Sequence, residues 1–347
     1  MRKLTSVLFY SLLLASIVLT ACGGAGGTKK KVGVVLDTGG ENDKSFNEYT
    51  LKGARQAAQE AGFDISYVVS QSTSDYEKNI ETQISEGANM VVTVGFLMGD
   101  ATAAAAKKYP DVQFAIVDVS YFPGFGCDAA ATDCYTAEGG LPNITSLMFA
   151  EDQVGYLAGV LAGCMSQTGV IATVSGMEIP PVVKFVVGYQ TGAKSVNPGI
   201  TTLNQYIPDF NDPATGKTVG QSFLTQKADV IFGVGGNTGN GGLLAAKEAG
   251  LMAIGVDVDQ YNTYPEVKDA LLTSAAKNMD VATGAAVKDF AAGSLKAGIR
   301  TATVASGGVG LAPYHDWDSK IPQDCKDKVN VAVQAVRKDP SITGYKP

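Results

Sequence analysis

The chain has one histidine and one tryptophan in 347 residues. A single imidazole removes most Ser/His/Asp and Cys/His schemes, and His315 sits in Tyr-His-Asp-Trp, far from any nucleophile motif. It is expected at the surface or in a hydrogen bond. One histidine and no CxxC pair also argue against zinc. Basic residues are outnumbered, 27 to 34, for a formal net charge of −7. An acidic body argues against nucleic acid as a partner, because phosphate-binding surfaces are basic. Beyond the N-terminus there is no run of about 18 apolar residues that could span a bilayer. Phosphate loops are missing as well. Gly216-Lys-Thr218 imitates the end of a P-loop, but the earlier glycine it requires is Asn211.

The N-terminus is built as a targeting segment. Arg2 and Lys3 precede an apolar run from Val7 to Leu19, and Leu19-Thr-Ala-Cys22 follows in the form of a lipobox. Residues 1–21 are expected to be removed and Cys22 to carry lipid, with 22–31 as a tether to the membrane. The exported body is then anchored at the extracytoplasmic face. It keeps 25 basic residues against 34 acidic ones, a formal −9. Four more cysteines remain: Cys127, Cys134, Cys164 and Cys325. Outside the cytosol an even number suggests disulfides, and four allow three pairings. The short loop CDAAATDC favours Cys127–Cys134, which leaves Cys164–Cys325.

From Lys31 strands and helices alternate. Val32–Leu36 is an apolar strand, Asp37–Asp43 is rich in turn formers, and a helix runs on to Gly62. Ser45-Phe-Asn-Glu48 fits a capping box at its start. Strands follow at Asp64–Val69, Met90–Val94, Phe114–Asp118 and Ile144–Ala150, with helices at Asp75–Glu86, Asp100–Tyr109 and Asp152–Met165. Tyr121–Pro142 reads as an irregular insertion. A second series repeats the order: strand Val170–Val174, helix Val182–Ser195, strand Ile200–Tyr206, helix Gln221–Lys227 after a polar segment, strand Asp229–Val234, a glycine loop, helix Leu243–Ala249 and strand Met252–Val256. Such alternation implies parallel sheets covered by helices. The expected fold class is α/β, in two Rossmann-like lobes joined by a hinge. The N-terminal lobe is 32–149 with a return segment at roughly 259–300. The C-terminal lobe is 150–258 with a return at roughly 301–347.

Ligands of open parallel sheets sit beyond the carboxyl ends of the strands. Asn42, Asp43 and Phe46 lie there, two polar groups and an aromatic face, although Asp43 or Ser45 can equally serve as a cap and Phe46 as a core residue. Asp118 ends a strand at the same rim, where it can accept from vicinal hydroxyls or simply make a turn. Phe232–Gly242, FGVGGNTGNGG, follows a strand and precedes a helix, and Asp257 lies about 20 residues on, as in dinucleotide folds. No GxGxxG register fits it, since the sixth position is Thr238 or Leu244. Its glycines either let backbone approach a ligand or make a turn.

The stretch DTGGENDKSFNEYTLKG resembles the N-terminal motif of the Bmp/PnrA family, lipoproteins that bind substrates for ABC transporters. The resemblance runs from about Lys31 to His315, through Pro181–Gly192, Asp229–Gly236, Gly255-Val-Asp257 and Thr273–Lys277. The Cys127–Pro142 insertion, the Cys164 and Cys325 pair and the double proline at Pro180-Pro181 depart from the family pattern. The resemblance implies the class I periplasmic binding protein fold and no catalysis, cofactor or metal. It implies a ligand set in which Phe46 and Phe185 sandwich a base, Asn42 and Asp43 read its polar edge, and Gly235 offers backbone. Asp118, Asp257 and Lys277 would hold the ribose. The expected ligand is a nucleoside, purine first, delivered by a monomer to an ABC permease. The same fold with another small polar ligand, such as a sugar, is the first alternative, and a nicotinamide-dependent enzyme the second.

Overall fold

A computed structural model describes residues 29–346. The expected leader, the Cys22 lipidation site and most of the tether lie outside the described residues. No described helix is long and apolar enough to cross a membrane.

Two six-stranded sheets carry the chain. The first is built from β1 (Lys31–Leu36), β2 (Asp64–Val69), β3 (Met90–Val94), β4 (Gln113–Val117), β7 (Ile144–Phe149) and β13 (Gly298–Ala302), in the order β13-β7-β4-β3-β1-β2. All its pairings are parallel. The second holds β8 (Val170–Ser175), β9 (Thr201–Tyr206), β10 (Val230–Val234), β11 (Met252–Asp257), β12 (Leu271–Lys277) and β14 (Val309–Leu311), in the order β14-β12-β11-β10-β8-β9. Only its edge strand β14 runs antiparallel. The central strands are buried along their whole length, as expected of sheets covered on both faces. A two-residue ribbon, β5 (Phe122–Pro123) with β6 (Gly126–Cys127), lies in the insertion.

Helices α1 (Phe46–Glu60), α2 (Tyr76–Ser85) and α3 (Gly99–Lys108) connect the first strands. The chain crosses to the second sheet before α4 (Glu151–Met165), and α5 (Pro180–Val196), α6 (Pro213–Thr225) and α7 (Gly236–Glu248) follow. The short α8 (Gln260–Thr263) precedes β12, α9 (Met279–Ala291) returns to pack on α1, and α10 (Gln323–Lys338) packs on α4. The return to the first sheet therefore begins near Met279, not at 259, because β12 pairs with β11. The last crossing lies between β13 and β14.

Glycines explain how the helices pack. A Cβ on Gly159 of α4 would lie 2.0 Å from the Tyr189 carbonyl, and one on Gly192 of α5 would lie 2.0 Å from that of Tyr156. The two helices touch backbone to backbone. The same device corrects two sequence readings. The segment 213–220, read as polar loop, is the first half of α6, capped by Asp212 and opened by Pro213. The glycine loop after β10 is the first half of α7. Gly216 and Gly241 let these helices meet, their Cβ positions falling 1.9 and 2.1 Å from the Thr238 and Pro213 carbonyls. Packing here overrides the poor helix propensity of glycine.

Both expected disulfides are formed, Cys127–Cys134 and Cys164–Cys325. The first staples the insertion. The second ties α4 to α10.

Candidate functional site

Each sheet has a point where successive strands are laid down on opposite sides of a central one. In the first sheet β2 and β3 flank β1; in the second β9 and β10 flank β8. A crevice opens beyond the carboxyl ends at such points. The two crevices form the walls of one cavity, with about 610 Å³ of space between the atoms, part of it open to solvent. Asp37 and Gly95 follow β1 and β3 in one wall, and Gly235 follows β10 in the other.

The lobes repeat this arrangement. Asp118 follows β4 and Asp257 ends β11, the next strand outward in each sheet, and both adopt left-handed backbone, φ 67° and 66°. That conformation is uncommon outside glycine and clusters at functional sites. Gly95 and Gly235 both have positive φ, 112° and 136°. A Cβ on Gly235 would fall 2.4 Å from the Gly176 nitrogen, so only glycine fits that turn.

Lys277, at the end of β12, is the charged centre of the cavity. It is 2% exposed, and its Nζ lies 2.6 Å from Asp118 Oδ2, 3.3 Å from Glu151 Oε1 and 4.0 Å from Asp257 Oδ1. Glu151 also pairs with Lys184 at 3.3 Å. Burial pushes the Lys277 ammonium down, but Asp118, Glu151 and Asp257 outweigh it and hold the group above its ordinary range. Burial raises the Asp118 carboxyl, with Lys277 opposing and Glu151 adding to the rise. Asp257 is raised for the same reason, against Lys277 and a bond from Ser45. Asp118 Oδ1 is buried without a hydrogen-bond partner among the described residues. A buried carboxylate oxygen left open is an acceptor waiting for a donor. Lys277 Nζ also stands 4.8 Å from the Phe46 ring centroid and 6.0 Å from that of Phe185.

The Asp43 carboxylate is engaged by the start of α1. Its Oδ1 accepts from the Ser45 and Glu48 N–H groups, and its Oδ2 from the N–H and side-chain amide of Asn47. Asp43 therefore caps α1. Burial still pushes it up to about 7 against those backbone donors. Ser45 makes no capping bond, so the expected capping box is absent; its hydroxyl donates to Asp257 Oδ2 at 2.7 Å. Asn42 is exposed and borders a separate surface groove beside α1, outside the cavity. Asn47 and Asp37 line the cavity instead. Asn47 donates to Asp37 Oδ1 at 2.7 Å, and the Gly39 N–H donates to the same oxygen. Burial raises the Asp37 carboxyl, opposed by those two donors.

Of the eight predicted residues, the cavity brings together Asp43, Phe46, Asp118, Phe185, Gly235, Asp257 and Lys277. Phe185 is 3% exposed and edge-on to Phe232 at 5.9 Å, so much of it belongs to the core. Sequence reasoning missed Phe210, a half-buried aromatic in the loop after β9 that lines the same wall. It sits over Gly176 and Gly235: a Cβ on Gly176 would reach 2.5 Å from its ring. Phe96, Leu97, Ile179 and Val182 make the remaining wall apolar. The cavity thus offers aromatic faces, an apolar slot, and a cluster that accepts from hydroxyls and donates from one ammonium.

Comparison with known proteins agrees with this fold. The profile of the Bmp family, described as "ABC transporter substrate-binding protein PnrA-like", matches residues 30–342. The chain is 33% identical to the "ABC transporter nucleoside-binding protein BmpA" of Lactococcus lactis, over 72% of each. It is 33% identical to an "uncharacterized lipoprotein" of Pyrococcus abyssi, over 92% of this chain and 78% of that one. A solute-binding protein of an ABC transporter system from Aeropyrum pernix superposes with a TM-score of 0.72 at 28% identity, covering 89% of this chain and 86% of that one.

Proposed function

Because the chain belongs to the PnrA-like family of ABC transporter substrate-binding proteins, we propose that it captures a nucleoside, purine first, between its lobes and delivers it to an ABC permease. The observation that carries this reading is the pairing of an aromatic, apolar slot with the Asp118, Asp257 and Lys277 cluster, in which Asp118 Oδ1 is left open. The base stacks between Phe46 of one lobe and an aromatic of the other, Phe185 or Phe210. Ribose hydroxyls donate to Asp118 and Asp257, and Lys277 donates to a sugar oxygen. The Gly235 backbone approaches the ligand closely, and Asp37 and Asn47 face its remaining polar edge.

A buried site made to bond hydroxyls rejects analogues that lack them, because its own groups are then left unpaired. Nucleosides should therefore bind far better than free bases. The acidic cluster disfavours phosphates, so adenosine should bind more tightly than AMP. No catalytic step is assigned. The lipobox at Cys22 and the lipoprotein name of the Pyrococcus relative support anchoring at the extracytoplasmic face.

Thermal unfolding of the chain from Gly23 onward, with nucleosides, bases, ribose and NAD, tests this. A ligand that binds only the folded state adds about 2.7 kcal/mol at 100 times its Kd. Shifts with nucleosides but not with adenine or ribose are expected. A shift with NAD alone would point to a nicotinamide enzyme, and one with sugars alone to a different cargo.

A further inference from the structure

Asp43, Lys44 and Ser45 belong to the loop before α1, in the first lobe. Each is held by a group from the second. Asn240 Nδ2 donates to the Asp43 carbonyl at 3.3 Å. Thr263 Oγ1 donates to the Lys44 carbonyl at 2.7 Å. Ser45 Oγ donates to Asp257 Oδ2 at 2.7 Å. Lys44 has left-handed backbone, φ 63°, an uncommon conformation for a long side chain, at the point where the second lobe grips it.

The gripping groups are themselves braced. Gln260 is fully buried; its Nε2 donates to Asn240 Oδ1 at 2.8 Å, and its Oε1 accepts from the Val256 N–H at 2.9 Å. Its own N–H donates to Ser274 Oγ at 3.1 Å. One polar chain therefore runs from β11 and β12 through Gln260 and Asn240 into the opposite lobe. Neither Asn240 nor Thr263 lines the cavity. These are bonds between protein groups, so they form whenever the lobes come together, whatever the ligand.

We propose that Asn240, Thr263 and Ser45 form a clasp on residues 43–45 that sets how readily the lobes close, with Asn240 and Thr263 as positioning residues that tune affinity without touching the ligand. The choice of nucleoside probes rests on the function proposed above; the clasp itself does not. A bond present only in the closed state enlarges the closed fraction. Apparent affinity scales with the fraction of protein that is competent to bind. The clasp therefore changes affinity for every ligand by one common factor, whereas a residue in contact with the base changes the ranking of bases.

The test uses Thr263→Val, which keeps the shape and removes the donor, and Thr263→Ser, which restores it. One neutral hydrogen bond corresponds to a change of about 2- to 12-fold. Thr263→Val should raise the Kd for adenosine and guanosine by the same factor in that range. It should also increase the radius of gyration of the ligand-free protein in X-ray scattering, and Thr263→Ser should return both to wild-type values. An unchanged ligand-free radius in Thr263→Val would overturn the clasp, as would a change in Kd that differs between the two nucleosides. If the wild-type protein binds no nucleoside, the proposed cargo fails, while the scattering comparison still decides the clasp.

Discussion

Replacing Lys277 with methionine is expected to produce one of the largest single-site effects in the chain. The ammonium is buried among three carboxylates, at 2.6 Å from Asp118, 3.3 Å from Glu151 and 4.0 Å from Asp257. Methionine keeps much of the volume and removes the charge. Lys184 still reaches Glu151 and Ser45 still donates to Asp257, but among the described residues no other ammonium lies within ion-pair distance of Asp118 or Asp257. Removing one partner of a buried pair costs about 3–5 kcal/mol, because the remaining charge stays uncompensated. The pH dependence follows from the shifts. In the wild-type protein Lys277 is held above its ordinary value, so its contribution to stability is fully present below about 10.5 and is lost only as pH rises through the folded value. The variant lacks that contribution across the neutral range. Asp118 is already raised by burial, and without Lys277 it is raised further. A carboxylate held above its unfolded value costs stability that grows as pH rises past about 4. The loss should therefore be larger at pH 8 than at pH 5. Urea unfolding of both proteins at the two pH values measures it. A loss below about 1 kcal/mol at pH 8, or one that grows toward pH 5, would refute the reasoning.

Three further outcomes are expected. Phe46→Ala should weaken nucleoside binding by about 1–3 kcal/mol in calorimetry, the amount typical of stacking on a base, while uniform affinity across the variant and wild type would remove the stack. Phe210→Ala and Phe185→Ala should separate the second aromatic: the former should lower affinity and spare stability, whereas the latter, buried against Phe232, should cost about 3–5 kcal/mol of stability on urea unfolding. Equal stability losses in the two would contradict that division. Replacing Cys164 and Cys325 with serine should lower the urea midpoint more than replacing Cys127 and Cys134, because the bridged residues are 161 rather than 7 apart in sequence and longer loops lose more entropy on closure.

Much of the architecture was legible because the strands announce themselves. Val32–Leu36, Met90–Val94 and Val230–Val234 are short apolar runs ended by glycine or aspartate, and the residues just beyond them are the ones that reach the cavity. Asp118 and Asp257 were legible for the same reason. What was hidden depends on tertiary contact. The first turns of α7 are written in glycine, which by propensity reads as loop, and become helical because α6 lies close against them. The start of α6 did carry a local signal, Asp212 as cap and Pro213 at the first position, that the polar composition masked. In the loop before α1 local chemistry offered two caps, Asp43 and Ser45, and the choice was made from across the cleft. Asp257 takes the serine hydroxyl, so Asp43 serves the helix. Asn47 and Phe210 carry no local motif at all; a fold is needed to show that they face the same space as Phe46.

The most direct measurement is a calorimetric titration of ligand-stripped protein with adenosine, guanosine and uridine, set beside adenine, ribose and AMP. The account predicts tight binding of purine nucleosides, weaker binding of uridine and AMP, and little heat with either half of the molecule alone. Binding of adenine or ribose as tight as that of adenosine, or no binding of any nucleoside, would contradict it.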